Sequence, residues 1–244
     1  MNKFAVITRS QRQKFFKKPT ITEYDNYVTL ELPYTIEQMR TIDERKLYKS
    51  LSKGINKLQR SGISRAIFTN TLKEIFDSNI KLQNFRVVDG TMMFFDFVPK
   101  MVEFFCKKYE FIRPNIKLGI REENFSFISQ NLIEQLCYDS KFISIETTEI
   151  ISSKRYARFL LDKFGIMLNI RDTENTSDNN DIVIDVDNFC VYTLNGDCID
   201  GIEIEGVQTI EDAEIFDVMM CCGLSANDVL VTSWKNDDKF IDIV

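Results

Sequence analysis

The chain of 244 residues contains no histidine. That absence removes Ser-His-Asp and Cys-His catalysis, HExxH metal sites, facial-triad iron and every imidazole proton shuttle. An enzyme built from this sequence would have to work with carboxylates, Lys, Tyr, Cys or a bound cofactor. No apolar run reaches about 18 residues, so no membrane span is expected. The apolar segment Phe4 to Ile7 is too short for a signal peptide, and Arg9, Arg12 and Lys14 follow it, so residence in the cytoplasm is the expectation. No cysteine pair has CxxC spacing, which disfavours zinc and thioredoxin-type sites. Cys106, Cys137, Cys190, Cys198, Cys221 and Cys222 are expected as reduced thiols, with Cys106 and Cys137 on apolar helix faces. Only five alanines stand against 29 Ile and 20 Phe, a bias of AT-rich coding sequence and not of mechanism. No internal repeat is visible.

What the chain does contain is the balance of a globular protein: 44% hydrophobic and 28% charged residues. A chain this long buries roughly 70–75% of its unfolded surface and needs no staples. Charge is unevenly shared. Residues 1–115 carry a net +9 and residues 116–244 a net −15. Such asymmetry marks either a nucleic-acid face or two halves that attract each other. The second reading is preferred, because the acidic half would repel an approaching phosphate backbone.

Ile116 to Asp187 organises the rest. Ile116–Ile120, Lys141–Ile145, Ile166–Ile170 and Asp181–Val186 read as strands, with helical runs at Phe125–Tyr138 and Ile150–Phe164 and a polar loop at Thr173–Asp181. Short apolar runs alternating with helices predict βαβ units and a parallel sheet. Upstream, Lys3–Thr8, Tyr27–Leu32 and Ala66–Thr69 read as strands, and Leu72–Phe76 as a short helix. Thr35 and Gln38 have capping-box spacing, opening a helix that runs to Gly62 with Ile36, Met39, Leu47, Leu51, Ile55 and Leu58 on one face. Thr91–Tyr109 is apolar nearly all round and should be buried on several sides. Pro99 predicts a kink or break near Asp96, which would cap the second piece. A central packing helix is preferred there over a cofactor pocket lined by Met and Phe. Downstream, Phe189–Leu194 and Cys198–Ile204 flank Asn195-Gly196 as a hairpin. Thr209 opens an acidic helix through Met220, stopped by Gly223. Val229–Thr232 and Phe240–Val244 read as strands. The fold expected is α/β: a basic α/β N-terminal domain, 1–114, with a buried aromatic-rich helix, and an acidic Rossmann-like domain, 115–244, divided at Arg113-Pro114.

The strand–helix series from Ile116 resembles half of a Rossmann-type fold, as in the second domain of shikimate-dehydrogenase-like oxidoreductases. Residues 60–187, with Val87-Val88-Asp89-Gly90 ahead of the apolar helix and Phe164-Gly165-Ile166 opening a strand, also resemble a family of uncharacterised bacterial α/β proteins. The first resemblance implies a dinucleotide site, which needs glycines after the first strand so that a pyrophosphate can reach backbone N–H groups at a helix N-terminus. The matching turn here is Arg121-Glu122-Glu123-Asn124-Phe125-Ser126. It has no glycine, a bulky Phe, and two carboxylates where the anion would sit, and Gly119 lies inside the strand. Glu146 or Glu149 would stand in for the ribose-binding acid.

Two other constellations bear weighing. From Asp172 onward there are 18 acids and two lysines. Asp181, Asp185 and Asp187 share a strand face by parity, and Asp185 and Asp187 with Asp197 and Asp200 could be drawn into a cation site, though EF-hand spacing is lacking. Solvated strand ends explain the same acids. Lys46, Lys49, Lys53, Lys57 and Arg60 form a helical stripe at spacings of three and four that would suit phosphates. A solvated face, or one turned to the acidic half, is preferred. No catalytic, cofactor or metal residue is assigned. The expected function is a non-catalytic interaction or regulatory protein, partnered by another protein or a second copy, with nucleic acid disfavoured. The rivals are an NAD(P)-dependent enzyme using Lys or Tyr in a pocket between the halves, and a nucleic-acid-binding module on the basic half.

Overall fold

A computed structural model describes residues 3–13, 18–76, 84–172, 180–205, 207, 210–227, 229–236 and 239–242. Helices and sheets with parallel strands mix throughout, so the class is α/β. The chain divides into two compact units, residues 1–93 with 207–228 and residues 94–206 with 229–244.

In the first unit, β1 (Phe4–Arg9) lies between β3 (Tyr27–Leu32) and β4 (Arg65–Phe68), parallel to both. The strand β5 (Arg86–Val87) extends the sheet in parallel beyond β4, and β2 (Thr20–Glu23) adds an antiparallel edge to β3. Alternation along β1 sorts the side chains. Ala5 and Ile7 join a core with Leu47, Leu51, Ile55 and Leu58 of α2 (Glu44–Arg60). Phe4 and Val6 join Ile67, Val88, Val218 and Cys221 in a second core. The last two lie on α7 (Ile215–Cys222). A parallel sheet needs cover on both faces, and α7 supplies the second cover from far along the chain. That is why the division differs from a single break at Arg113-Pro114: the apolar face made by Phe4, Val6 and Ile67 requires the later segment. The acidic residues 207–228 thereby join the basic unit, and the units carry 17 basic against 14 acidic and 14 against 23 residues. Much of the charge asymmetry read along the chain is neutralised inside one unit.

The helix expected from Thr35 to Gly62 is two. The capping box at Thr35 and Gln38 opens α1 (Ile36–Thr41), which stops at Ile42, and Asp43 caps α2 by accepting the Lys46 N–H. Gly62, with φ of 79°, follows the end of α2. Gly54 lies so close to β3 that a Cβ there would meet Leu30 Cδ2 at 2.6 Å. The helix α3 (Asn70–Lys73) follows β4.

The helix α4 (Thr91–Lys108) runs through Pro99 unbroken, with Asp96 exposed in its interior instead of capping a second piece. Pro99 removes one helical hydrogen bond, but Phe97, Val98, Met101 and Val102 are fully buried around it, and that packing outweighs the loss.

In the second unit, β6 (Lys117–Arg121), β7 (Phe142–Glu146), β8 (Leu168–Arg171) and β9 (Ile182–Asp185) are parallel, in the order β9-β6-β7-β8. The helix α5 (Phe127–Leu136) joins β6 to β7 and α6 (Ile150–Phe164) joins β7 to β8. Antiparallel β10 (Cys190–Thr193) and β11 (Cys198–Ile199) complete the sheet beyond β9. The expected second hairpin arm, Cys198–Ile204, breaks at Asp200: β12 (Gly201–Ile204) instead pairs with β13 (Val231–Asn236), which pairs with β14 (Lys239–Asp242). The acidic helix begins at Ile215, not Thr209, which lies outside the described residues along with most of the Thr173–Asp181 loop. No helix among the described residues is long and apolar enough to cross a membrane.

Candidate functional site

In an open parallel sheet, ligands sit beyond the carboxyl ends of the strands, where successive connections leave in opposite directions. In the second unit that switch falls between β6 and β9. The residues there are Arg121, Glu122 and Glu123 after β6, Glu146 and Thr147 after β7, and Asp185 to Asp187 after β9.

The β6–α5 turn is closed by the chain itself. The Glu123 N–H donates to Asp187 Oδ2 at 2.8 Å, and the Ser126 N–H donates to Glu122 Oε2 at 3.1 Å. Ser126 caps α5 by accepting the Ser129 N–H at 3.1 Å. Thr147 and Thr148 hydroxyls both donate to the Glu123 carbonyl, at 3.0 and 2.7 Å. The Glu122 N–H donates to the Glu146 carbonyl. A helix N-terminus attracts an anion; here the anion is the chain's own Glu122, which is 6% exposed. Burial pushes the Glu122 carboxyl up despite its hydrogen bonds to Ser129 and Ser126, and burial likewise raises Asp187.

Behind the turn, strand register aligns Asp185, Arg121, Glu146 and Arg171 in one row across β9, β6, β7 and β8. Signs alternate along it. Arg121 donates to Glu146 Oε2 from Nε and Nη2 at 3.1 and 3.0 Å, and its Nη1 lies 4.0 Å from Asp185 Oδ2. Its guanidinium also stands 6.0 Å from the Tyr192 ring centroid, and Tyr192 is pushed up to about 12 by burial. Asp185 further accepts from the Asn188 backbone and side chain, both at 3.1 Å. Two residues nearer the strand starts, Asn180 lies over Gly119 and accepts the Ser144 hydroxyl at 3.0 Å. A Cβ on Gly119 would come within 2.4 Å of Asn180 Nδ2. This explains why glycine stands inside the strand, where it contributes nothing to a phosphate turn.

The first unit repeats the closure. The Gly90 N–H, between β5 and α4, donates to Asp217 Oδ1 at 2.5 Å, while Lys73 Nζ lies 2.6 Å from Asp217 Oδ2. Asp217 is fully buried. A Cβ on Gly90 would meet the Phe216 carbonyl carbon and the Asp217 nitrogen, each at 2.5 Å, so the backbone of α7 fills the space that a glycine after a strand would open to a ligand. The Thr91 N–H donates to Asp89 Oδ1 at 2.8 Å, and the Thr71 hydroxyl to Asp212 Oδ2 at 2.6 Å. Beside Asp217, burial and the neighbouring carboxylate push Glu214 up to about 7, against the pull of Lys73 and the Phe216 and Ile215 N–H groups.

Of the acids grouped from sequence, Asp181, Asp185, Asp187 and Asp197 each serve internal partners, although Asp185 and Asp187 are near enough to repel each other. Asp181 accepts the Lys117 N–H at 2.9 Å, Asp187 serves Glu123, and Asp197 bonds Lys108 and Tyr109. Among the described residues no group of three or more His, Cys, Asp or Glu is placed to hold a metal ion. Glu146 serves Arg121, and Glu149 precedes α6. Lys46, Lys49, Lys53, Lys57 and Arg60 are exposed along α2, and the Lys57 ammonium donates to the Pro19 carbonyl at 3.3 Å. Sequence reasoning did not single out Lys73 and Asp217. Gly90 after a strand was the available signal, but its partner stands 127 residues away, and no local pattern points to it. No protein-family model and no curated protein matches the chain.

Proposed function

We propose that this is a cytoplasmic, non-catalytic interaction or regulatory protein whose second unit keeps the strand order of a nucleotide-binding half without its ligand. One observation carries the reading. The N–H groups that would bind a diphosphate in the β6–α5 turn are already taken by Asp187 and Glu122, at 2.8 and 3.1 Å. A phosphate entering there would have to displace two carboxylates of its own sign, one of them buried. Its gain would be hydrogen bonds that already exist, so nothing favours the exchange.

Thermal melting with NAD, NADP and ATP tests this. A ligand at a hundredfold excess over its Kd stabilises by about 2.7 kcal/mol, which melting resolves easily. The expected result is no shift with any of the three. A clear, saturable shift that disappears in a variant carrying a bulkier residue at Asn124 would overturn the proposal in favour of the dinucleotide enzyme.

A further inference from the structure

At the opposite, amino ends of the parallel strands the second unit has a groove of about 1090 Å³. It lies between the end of α5, the start of β7 and the α6–β8 turn. Apolar side chains stand unusually exposed around it: Phe142 at 55%, Met167 at 77%, Tyr138 at 84% and Phe164 at 42%. Cations share its lining: Arg113, Lys117 and Lys141, with Arg171 reaching it from the far end of the edge strand β8, against Asp139, the single carboxylate among the described lining residues, which pairs with Arg113 at 3.5 Å. The Ser140 hydroxyl in the same wall is buried and makes no hydrogen bond. Asn169 adds an exposed amide group, while Asn180 in the floor is buried and bonded to Ser144. A positive, aromatic groove is out of keeping with its surroundings, since the unit as a whole has 23 acidic residues against 14 basic ones.

We infer that this groove docks a short acidic, apolar peptide segment of a partner protein, its carboxylates on Lys117 and Lys141 and its apolar side chains on Phe142 and Met167. The inference rests on the non-catalytic interaction reading and supplies the chemistry of the partner. Size and charge select this occupant. Exposed apolar side chains rimmed by polar groups mark a contact surface, and the excess of cations selects a ligand of negative charge. A nucleic-acid strand could also use cations and aromatic rings. It would extend past the groove onto an acidic unit, whereas a short peptide meets only the cationic walls. The exposed Asn169 amide matches the N–H and C=O groups of a peptide backbone.

The test uses the full chain and a short fluorescein-labelled peptide in which Glu alternates with Phe and Leu. Fluorescence anisotropy should show saturable binding. Replacing Glu by Lys, or Phe and Leu by Ser, should abolish it, and labelled oligothymidine should not bind. Lys117→Glu with Lys141→Glu should weaken the acidic peptide by about tenfold or more while leaving melting unchanged, because both lysines are exposed. Phe142→Ser should weaken it independently. No binding, equal binding of the Lys peptide, tighter binding of oligothymidine, or indifference to both sets of variants would each overturn the inference. The nucleotide melts report on the other end of the strands, so either conclusion can fail alone.

Discussion

Replacing Glu214 by Gln should stabilise the first unit at pH 8 and leave it nearly unchanged at pH 5. Glu214 precedes α7, beside fully buried Asp217. Burial and the Asp217 charge raise its carboxyl from the ordinary 4.5 to about 7. A group whose folded pKa lies above its unfolded value binds its proton more tightly when folded. Its contribution is fully present below about 4.5 and is lost as pH rises through about 7. Each tenfold difference in proton affinity is worth about 1.4 kcal/mol. The loss between pH 5 and 8 is therefore at most about 3 kcal/mol, and solvent at the partly exposed carboxyl reduces it to about 2 kcal/mol. Urea denaturation at pH 5, 6, 7 and 8 reads this directly. The wild type should weaken across that range, and Glu214→Gln should weaken less by about 2 kcal/mol. Other acids also titrate, Asp217 among them, so the difference between the two proteins is the informative quantity. Parallel curves for wild type and variant would refute the placement of Glu214 against Asp217.

Asp217→Ala strands the Gly90 N–H and removes the carboxylate beside Lys73, whose side chain is about a third exposed, and should cost about 3 kcal/mol in urea unfolding. Asp217→Asn, which keeps an acceptor for Gly90, should cost clearly less; equal losses would mean that the Gly90 hydrogen bond contributes nothing. Arg121→Met removes the cation between Glu146 and Asp185, leaving Arg171 as the cation beside Glu146 in that row. Because the Arg121 side chain is about a third exposed, water softens the loss to about 2 kcal/mol. Adding Glu146→Gln should recover part of that loss, and a double-mutant cycle with no coupling would refute the ion pair.

Much of the second unit was legible because its signals are local. The α6 helix covers the same residues as its apolar run, Ile150–Phe164, and Gly165 ends it in the left-handed conformation. The four parallel strands each announce themselves by short segments of four or five residues in which Leu, Ile, Val or Phe recur. What could not be read from the chain is long-range. Nothing around Ile215 says that its helix covers Phe4 and Val6, because an apolar helix face does not specify which sheet it will meet. The charged row behaves similarly: Arg121, Glu146 and Asp185 look like solvated strand ends in sequence, and only register places them side by side. Cys198–Ile204 reads as one strand because apolar residues stand on both sides of Asp200, but their parity shifts from Ile199 to Ile202 and Ile204, and there the backbone changes from one sheet to another. Pro99 misled for the opposite reason. Its local cost is real, but burial around Val98 and Met101 exceeds it.

The two units arrive at the same solution with unrelated residues. In each, a strand of a parallel sheet leads through a turn into a helix, and a carboxylate returning from far along the chain accepts an N–H of that turn: Asp217 to Gly90, Asp187 to Glu123. A helix N-terminus with unpaired N–H groups must find an acceptor in water, ligand or side chain. A protein that uses such a turn for phosphate leaves it to the ligand, and so is stabilised when the ligand binds. Here the acceptors are internal, and they raise the carboxyls of Asp217 and Asp187 by burying them. Burial of Asp217 is offset by its hydrogen bond to Gly90 and its contact with Lys73, while Asp187 holds its bond to Glu123 at the surface. At the opposite, amino edge of the second sheet, Phe142 and Met167 are exposed beside Lys117 and Lys141.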